Sequence, residues 1–136
     1  MSMAIGHIIR RAGPADAGGA AELYLRARHA AVPAIPPLVH DNDDVRRFFR
    51  DVVVPSRELW VAEDPEAGVI GVLVIDGSWV DQLYVEPGLT GRGLGTALLD
   101  VAKAQRPEGL QLWAFQSNRD ALRFYERHGF VEVERT

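Results

Sequence analysis

Cysteine is absent from the 136 residues. That excludes disulfides, thiolate metal sites and a cysteine nucleophile, so no acyl group can be carried on an enzyme thiol. No run approaches the roughly 20 consecutive apolar residues that a membrane-spanning helix needs. An excess of positive charge is lacking too: Lys and Arg number 15 against 19 Asp and Glu, a formal net charge of −4. The chain therefore carries no electrostatic footprint for duplex nucleic acid, and neither a nucleic acid nor a membrane is an expected partner. The opening residues, Met1-Ser2-Met3-Ala4-Ile5-Gly6-His7, lack the basic region and apolar stretch of a signal peptide. A cytoplasmic location is the expectation.

What is present is enough for a core. Hydrophobic residues make up 47% of the chain, and the length fits one domain over residues 1–136 with no linker or internal repeat. Ile5 to Arg11 reads as a first strand closed by Gly13-Pro14. Ala20, Leu23, Tyr24, Ala27 and Ala31 fall at helical spacing, which predicts a helix from about Ala15 to Ala31. Pro33, Pro36 and Pro37 impose a loop. The acidic run Asp41-Asn42-Asp43-Asp44 then precedes a helical stripe of Val45, Phe48, Phe49, Val52 and Val53, with Pro55 as the stop. Carboxylates at a helix start are best read as caps.

Strands are predicted over Leu59 to Glu63, Val69 to Ile75 and Trp79 to Val85. Asp76-Gly77 is a hairpin signal that makes the last two antiparallel. Beyond them the pattern alternates. Gly93 to Gln105 is a helix, Leu110 to Phe115 a strand, Asn118 to His128 a helix and Phe130 to Glu134 a strand. The fold class is α/β, with a mixed, mostly antiparallel sheet and helices on both faces.

The chemistry concentrates where the strand ending at Val85 meets the helix. In Glu86-Pro87-Gly88-Leu89-Thr90-Gly91-Arg92-Gly93-Leu94-Gly95-Thr96, glycines allow close backbone approach and a helix start offers free N–H donors. Such a turn suits a phosphate or pyrophosphate, although a plain strand-to-helix connection uses the same residues. It is not a P-loop, because Gly93-Leu94-Gly95-Thr96 lacks the lysine. The spacing of Gly91, Gly93 and Gly95 does not match the dinucleotide fingerprint either.

Thr90-Gly91-Arg92-Gly93-Leu94-Gly95 resembles the Gln/Arg-x-x-Gly-x-Gly/Ala signature of the GNAT N-acetyltransferases. Asn118-Arg119-Asp120-Ala121-Leu122-Arg123-Phe124-Tyr125-Glu126-Arg127-His128-Gly129-Phe130 resembles that family's Asn-x-x-Ala-x-x-x-Tyr-x-x-x-Gly-Phe block. The two motifs stand in the family's order, and the resemblance extends over essentially the whole chain. It implies an N-acetyltransferase that moves an acetyl group from acetyl-CoA to a primary amine, with no metal. It further implies that Leu83, Tyr84 and Val85 hold the pantetheine arm and acetyl carbonyl along the strand. Backbone N–H groups of Gly91, Arg92, Gly93, Leu94, Gly95 and Thr96 would cradle the pyrophosphate, Asn118 would bond the pantetheine, and Tyr125 would protonate the departing thiolate.

Departures from the family pattern are Thr90 in place of Gln or Arg, Trp113 in a strand where some relatives place a carboxylate, and an end at Thr136 where the family continues with a seventh strand. The last of these leads to the expectation that a partner subunit, in a homodimer, supplies a strand or helix at the fifth strand's edge, or that the sixth strand shifts across to pair with it directly. Asp81, Glu58, His40 and a water chain all stand as the general base. Trp79, Tyr84, Trp113, Phe115 and Gln116 are candidates for the acceptor pocket, and the acceptor is a small-molecule or peptide amine. The rival readings are a non-catalytic acyl-CoA-binding module and a CoA-independent interaction domain.

Overall fold

In the computed structural model, which describes residues 7–133, four strands form one antiparallel sheet. They run in the order β1 (Ile8–Arg11), β2 (Glu58–Asp64), β3 (Gly68–Asp76), β4 (Trp79–Val85). The hairpin between β3 and β4 forms as its Asp-Gly signal predicts: Asp76 pairs with Trp79, and Gly77 takes φ +60°. Two bulges break the ladder. Partners jump from Ala62–Gly71 to Glu63–Val69, leaving Ile70 unopposed, and from Val74–Gln82 to Ile75–Val80, leaving Asp81 unopposed.

The helices are α1 (Ala17–Ala31), α2 (Asn42–Phe48), α3 (Val54–Ser56), α4 (Leu94–Gln105) and α5 (Arg119–Arg127). The acidic run caps α2 as expected: the Asp41 side chain accepts from the Asp44 N–H at 2.7 Å. Pro55 does not end that helix. A wider π turn over Phe49–Val53 leads into α3, where the proline occupies the first turn and needs no donor.

Helices cover both faces of the sheet because alternate strand residues are apolar on both sides. Leu59, Val61, Val72 and Val74 pack with Leu23, Tyr24, Val45, Phe49 and Val53 from α1 to the π turn. Ala62, Leu73, Ile75 and Val80 pack on the other face with Leu94, Leu98, Leu99 and Ala102 of α4, and Phe124 and Tyr125 of α5 close this layer. Gly71 allows the helix to approach. A Cβ there would lie 2.8 Å from Leu98 Cδ1 and 3.1 Å from Ala62 Cβ. Gly71→Val is therefore expected to cost about 1–3 kcal/mol by overpacking, read as a lower denaturant midpoint with an unchanged slope. An unshifted midpoint would mean that α4 is not pressed on β3 in this way.

Three sequence expectations are corrected. The first strand begins at Ile8; Ile5 and Gly6 lie outside the described residues. Leu110 to Phe115 is not a strand: only Gln111 makes a bridge, parallel to Trp79, with the Val80 N–H donating to its carbonyl at 2.8 Å. Residues 130–133 form no strand, and Glu134 lies outside the described residues. The reason is physical. A strand needs a neighbour for its backbone groups, and after Gln111 the chain diverges from β4 instead of following it. Of the two edge strands among the described residues, β1 and β4, it is β4 that a fifth strand would have covered.

Candidate active site

Hydrogen-bond parity along β4 decides where its backbone groups point. The Glu86 N–H donates to the Ile70 carbonyl at 2.9 Å, on the β3 side. In an antiparallel ladder alternate residues face the same neighbour, so Tyr84 also turns to β3 while Leu83 and Val85 face away from it. Their N–H and C=O groups line the edge from which residues 112–117 have splayed. An amide-bearing chain could pair there much like an added strand.

The glycine turn continues from that edge. Gly88, Gly91 and Gly93 take φ of +92°, +80° and +83°, a region that favours glycine. A Cβ on Gly91 or Gly93 would meet nothing within 4 Å, so both face open space. Gly95 differs: its Cβ would sit 3.4 Å from Phe124, so this glycine lets α4 pack on α5. The first bond closing α4 is from the Ala97 N–H to the Gly93 carbonyl at 3.0 Å. The N–H groups from Gly91 through Thr96 donate to no acceptor among the described residues. Arg92 and Leu94 belong to this turn through their backbone, and the Thr96 hydroxyl is engaged with His128 Nε2 at 3.1 Å. Arg26 holds the start of the turn by a two-armed contact with the Glu86 carboxylate, the shorter arm 2.7 Å.

Asn118 caps α5, its side-chain oxygen accepting from the Ala121 N–H at 3.3 Å. Tyr125 follows about two turns on, along the same side of the helix, its ring 5.3 Å from Phe124 and 5.6 Å from Phe130. Burial, with a smaller contribution from Tyr84, pushes the Tyr125 phenol up to about 12. A cleft of about 1120 Å³ opens between residues 109–117 and 128–133, and Tyr125 lies on its wall with Trp79, Trp113 and Phe115. The glycine turn and the β4 edge lie outside this cleft, while Tyr125 also packs in the apolar cluster that holds Leu83 and Val85 of β4. Trp79 and Trp113 stack at 6.0 Å.

The candidate bases separate. Glu58 accepts from Trp60 Nε1 at 2.7 Å and from Arg106 at 3.0 Å. Burial alone would raise its pKa, but these two donors hold it below the usual carboxylate range. It is a structural ion-pair member. His40 is exposed in the loop before α2. Asp81 is the unopposed residue of the β4 bulge; it is exposed, and partial desolvation with the nearby Asp76 charge raises its pKa against the opposing charge of Arg57. Bulges re-aim side chains in this way.

One residue was missed in the sequence. Arg28 donates to the Pro36 carbonyl at 3.1 Å, and its guanidinium carbon lies 5.9 Å from the Phe115 ring centre. Tyr24, four residues earlier, packs edge-on against Tyr84 at 5.2 Å. The i, i+4 pair Tyr24 and Arg28 on one helix face was the available signal, and it is a weak one. Among the described residues no group of three or more His, Asp or Glu side chains could hold a metal ion, and no helix is long and apolar enough to cross a membrane.

A sheet that opens at one strand edge and runs into a glycine turn with unclaimed N–H donors defines a class built to hold an extended, phosphate-bearing acyl carrier. The model of the acetyltransferase (GNAT) domain family matches residues 55–132. The chain belongs to the GNAT family and is an acetyl-CoA-dependent N-acetyltransferase by that membership. It is 31% identical over 125 residues to an amino-acid acetyltransferase of Mycobacterium tuberculosis, covering 82% of this chain and 69% of that protein. It is 31% identical over 95 residues to the peptidyl-lysine N-acetyltransferase YjaB of Escherichia coli, covering 70% of this chain and 60% of that protein. The aminoglycoside N-acetyltransferase AAC(6′)-Iy in complex with CoA shares the fold at TM-score 0.74 and 15% identity, over 100% of this chain and 95% of that one.

Proposed function

We propose that this domain is a cytoplasmic enzyme that transfers an acetyl group directly from acetyl-CoA to a primary amine within a ternary complex. One observation carries the reading: the free backbone groups of Leu83 and Val85 are followed, after a turn in which the Glu86 and Leu89 N–H groups are bonded internally, by the free N–H groups of Gly91 to Thr96. The two sets of groups suit a pantetheine arm and the pyrophosphate at its end. The two relatives' names speak of amino-acid and peptidyl-lysine acceptors, and both are primary amines.

The absence of cysteine removes an acyl-thiol enzyme intermediate, in keeping with direct transfer. The ammonium of the acceptor first loses a proton to Asp81. The neutral amine adds to the thioester carbonyl, whose oxygen receives a hydrogen bond from a β4 N–H, and a tetrahedral intermediate forms. Its C–S bond breaks, the electron pair leaves on sulfur, and Tyr125 donates toward that thiolate. Acetylated amine and CoA result, with one proton released to solvent. Asn118, its oxygen spent on the cap, offers its side-chain NH₂ to the pantetheine.

The test is a panel of primary amines scored by free CoA. Turnover with at least one is expected, and CoA binding without consumption of acetyl-CoA by any amine would make the domain a binding module instead. The base has its own test. A base must be deprotonated to act, so kcat/KM is present above the Asp81 pKa and lost as pH falls through it. Partial desolvation raises that pKa, so the loss sets in at higher pH than for an unperturbed carboxylate. Asp81→Asn should lower kcat/KM and remove this acidic limb. A limb that survives the substitution would assign the proton to water.

A further inference from the structure

We propose that Arg28 is the acceptor-selecting residue of this site and that it takes the carboxylate of a free amino acid. The inference rests on the reading of β4 as the acyl-transfer edge, and it assigns the substrate class that this edge receives.

Arg28 stands apart among the arginines near the site. Arg26, two residues earlier, is committed to Glu86, and Arg57 to Asp76. Arg28 takes part in no ion pair among the described residues. Its hydrogen bonds go to uncharged acceptors, the Pro36 carbonyl and the phenols of Tyr24 and Tyr84, and its Nε–H is buried without a partner. A buried donor on a permanently charged group is costly to leave unmade, so the position is maintained for something other than internal pairing.

The surroundings describe the missing partner. The guanidinium lies among Tyr24, Tyr84 and Phe115, which are aromatic and uncharged at neutral pH. Burial raises both tyrosine pKa values while the Arg28 charge works against it, which places the cation within reach of both phenols. A positive charge in a poorly solvated aromatic setting attracts an anion strongly, and a planar fork of donors matches a carboxylate. One arm is fixed by Pro36, which orients the fork. Ser117 donates to the Ala34 carbonyl, so the loop after α1 is tied to the splayed segment that carries Phe115. The guanidinium therefore stands where α1, that loop and the segment carrying Phe115 come together.

Placement links this anion site to the chemistry. Tyr84 lies between Leu83 and Val85, whose backbone groups form the open edge, and its ring reaches the α1 side where Arg28 stands. An acceptor that puts its carboxylate on Arg28 and its amine at the β4 edge must carry both groups on one molecule. A free amino acid does so. A lysine side chain within a peptide does not, since its carboxyl is an amide.

The experiment compares free amino acids with their methyl esters and with their decarboxylated amines as acceptors. The wild-type enzyme should favour the free acids on the order of 10²-fold in kcat/KM, chiefly through KM, as expected for a site left with an unpaired buried donor by the analogue. Arg28→Gln should bring the acid-to-ester ratio close to unity with an unchanged KM for acetyl-CoA, and Arg28→Lys should restore part of it. A merely structural arginine would lower both rates and leave their ratio alone. Equal use of acids and esters by the wild type, or a ratio that Arg28→Gln does not change, overturns the proposal while leaving the acetyltransferase intact. Calorimetry on the enzyme–CoA complex gives a readout independent of turnover. An N-acetylated amino acid should bind more tightly than its methyl ester in the wild type only, and equal binding counts against the site even if no amine is turned over.

Discussion

Tyr125→Phe is expected to lower kcat by ~10²–10⁴-fold, the range of acid–base catalysis, with little change in acetyl-CoA affinity or melting temperature. The substitution removes one oxygen and keeps the ring that packs on Phe124 and Phe130. Burial is what gives the hydroxyl its role. With its pKa pushed up to about 12, the phenol stays protonated throughout the working pH range. A free thiol titrates near 8.5, so complete transfer of the proton from Tyr125 to the thiolate is uphill by roughly three to four pH units. The contribution is then a hydrogen bond that strengthens as charge develops on sulfur, with the final proton drawn from solvent. Two consequences can be measured: the loss falls on kcat, and the wild type shows no alkaline limb from Tyr125 below about pH 11. If chemistry is shown to limit turnover and a folded Tyr125→Phe enzyme runs at the wild-type rate, the tyrosine is a core residue and nothing more.

Gly93→Asp should weaken CoA binding by at least about tenfold, or ~1.4 kcal/mol. Gly93 holds a left-handed conformation at the N-cap of α4, and a side chain there would project into open space beside the free N–H groups of the turn. Two penalties coincide. The left-handed backbone costs any residue with a Cβ roughly 1–2 kcal/mol, which acts on stability. A carboxylate at the helix start acts on affinity, because it competes with a pyrophosphate for the same donors and repels it. Gly93→Asn separates the two, having nearly the same shape and strain without the charge. Calorimetry should order the affinities wild type, Asn, Asp. Unchanged affinity in a folded Gly93→Asp protein would move the phosphate site elsewhere.

The N-acetyltransferase family was legible from two motifs, and the reason lies in backbone chemistry. A turn that must take positive φ three times demands glycine, so Gly88, Gly91 and Gly93 leave a mark in sequence that side-chain packing does not. The strand from Trp79 to Val85 and the helix from Gly93 to Gln105 were read almost to the residue, because hairpin and glycine signals bound them. Leu110 to Phe115 and Phe130 to Glu134 were misread for the converse reason. Their apolar alternation satisfies a strand's side-chain rule, but strand formation depends on a hydrogen-bonding neighbour that local sequence does not encode.

By itself, then, the sequence determined that no enzyme thiol can carry an acyl group, and that a turn suited to phosphate follows the strand ending at Val85. Only the tertiary structure decided which groups are available. It committed Glu58 to Arg106, set Asp81 at a bulge, spent the Asn118 oxygen on a cap and left Arg28 without an anionic partner. Availability of this kind is a property of neighbours in space. It comes from α1, its following loop and residues 115–117 meeting across more than 80 positions of chain, as in the contact of Ser117 with Ala34.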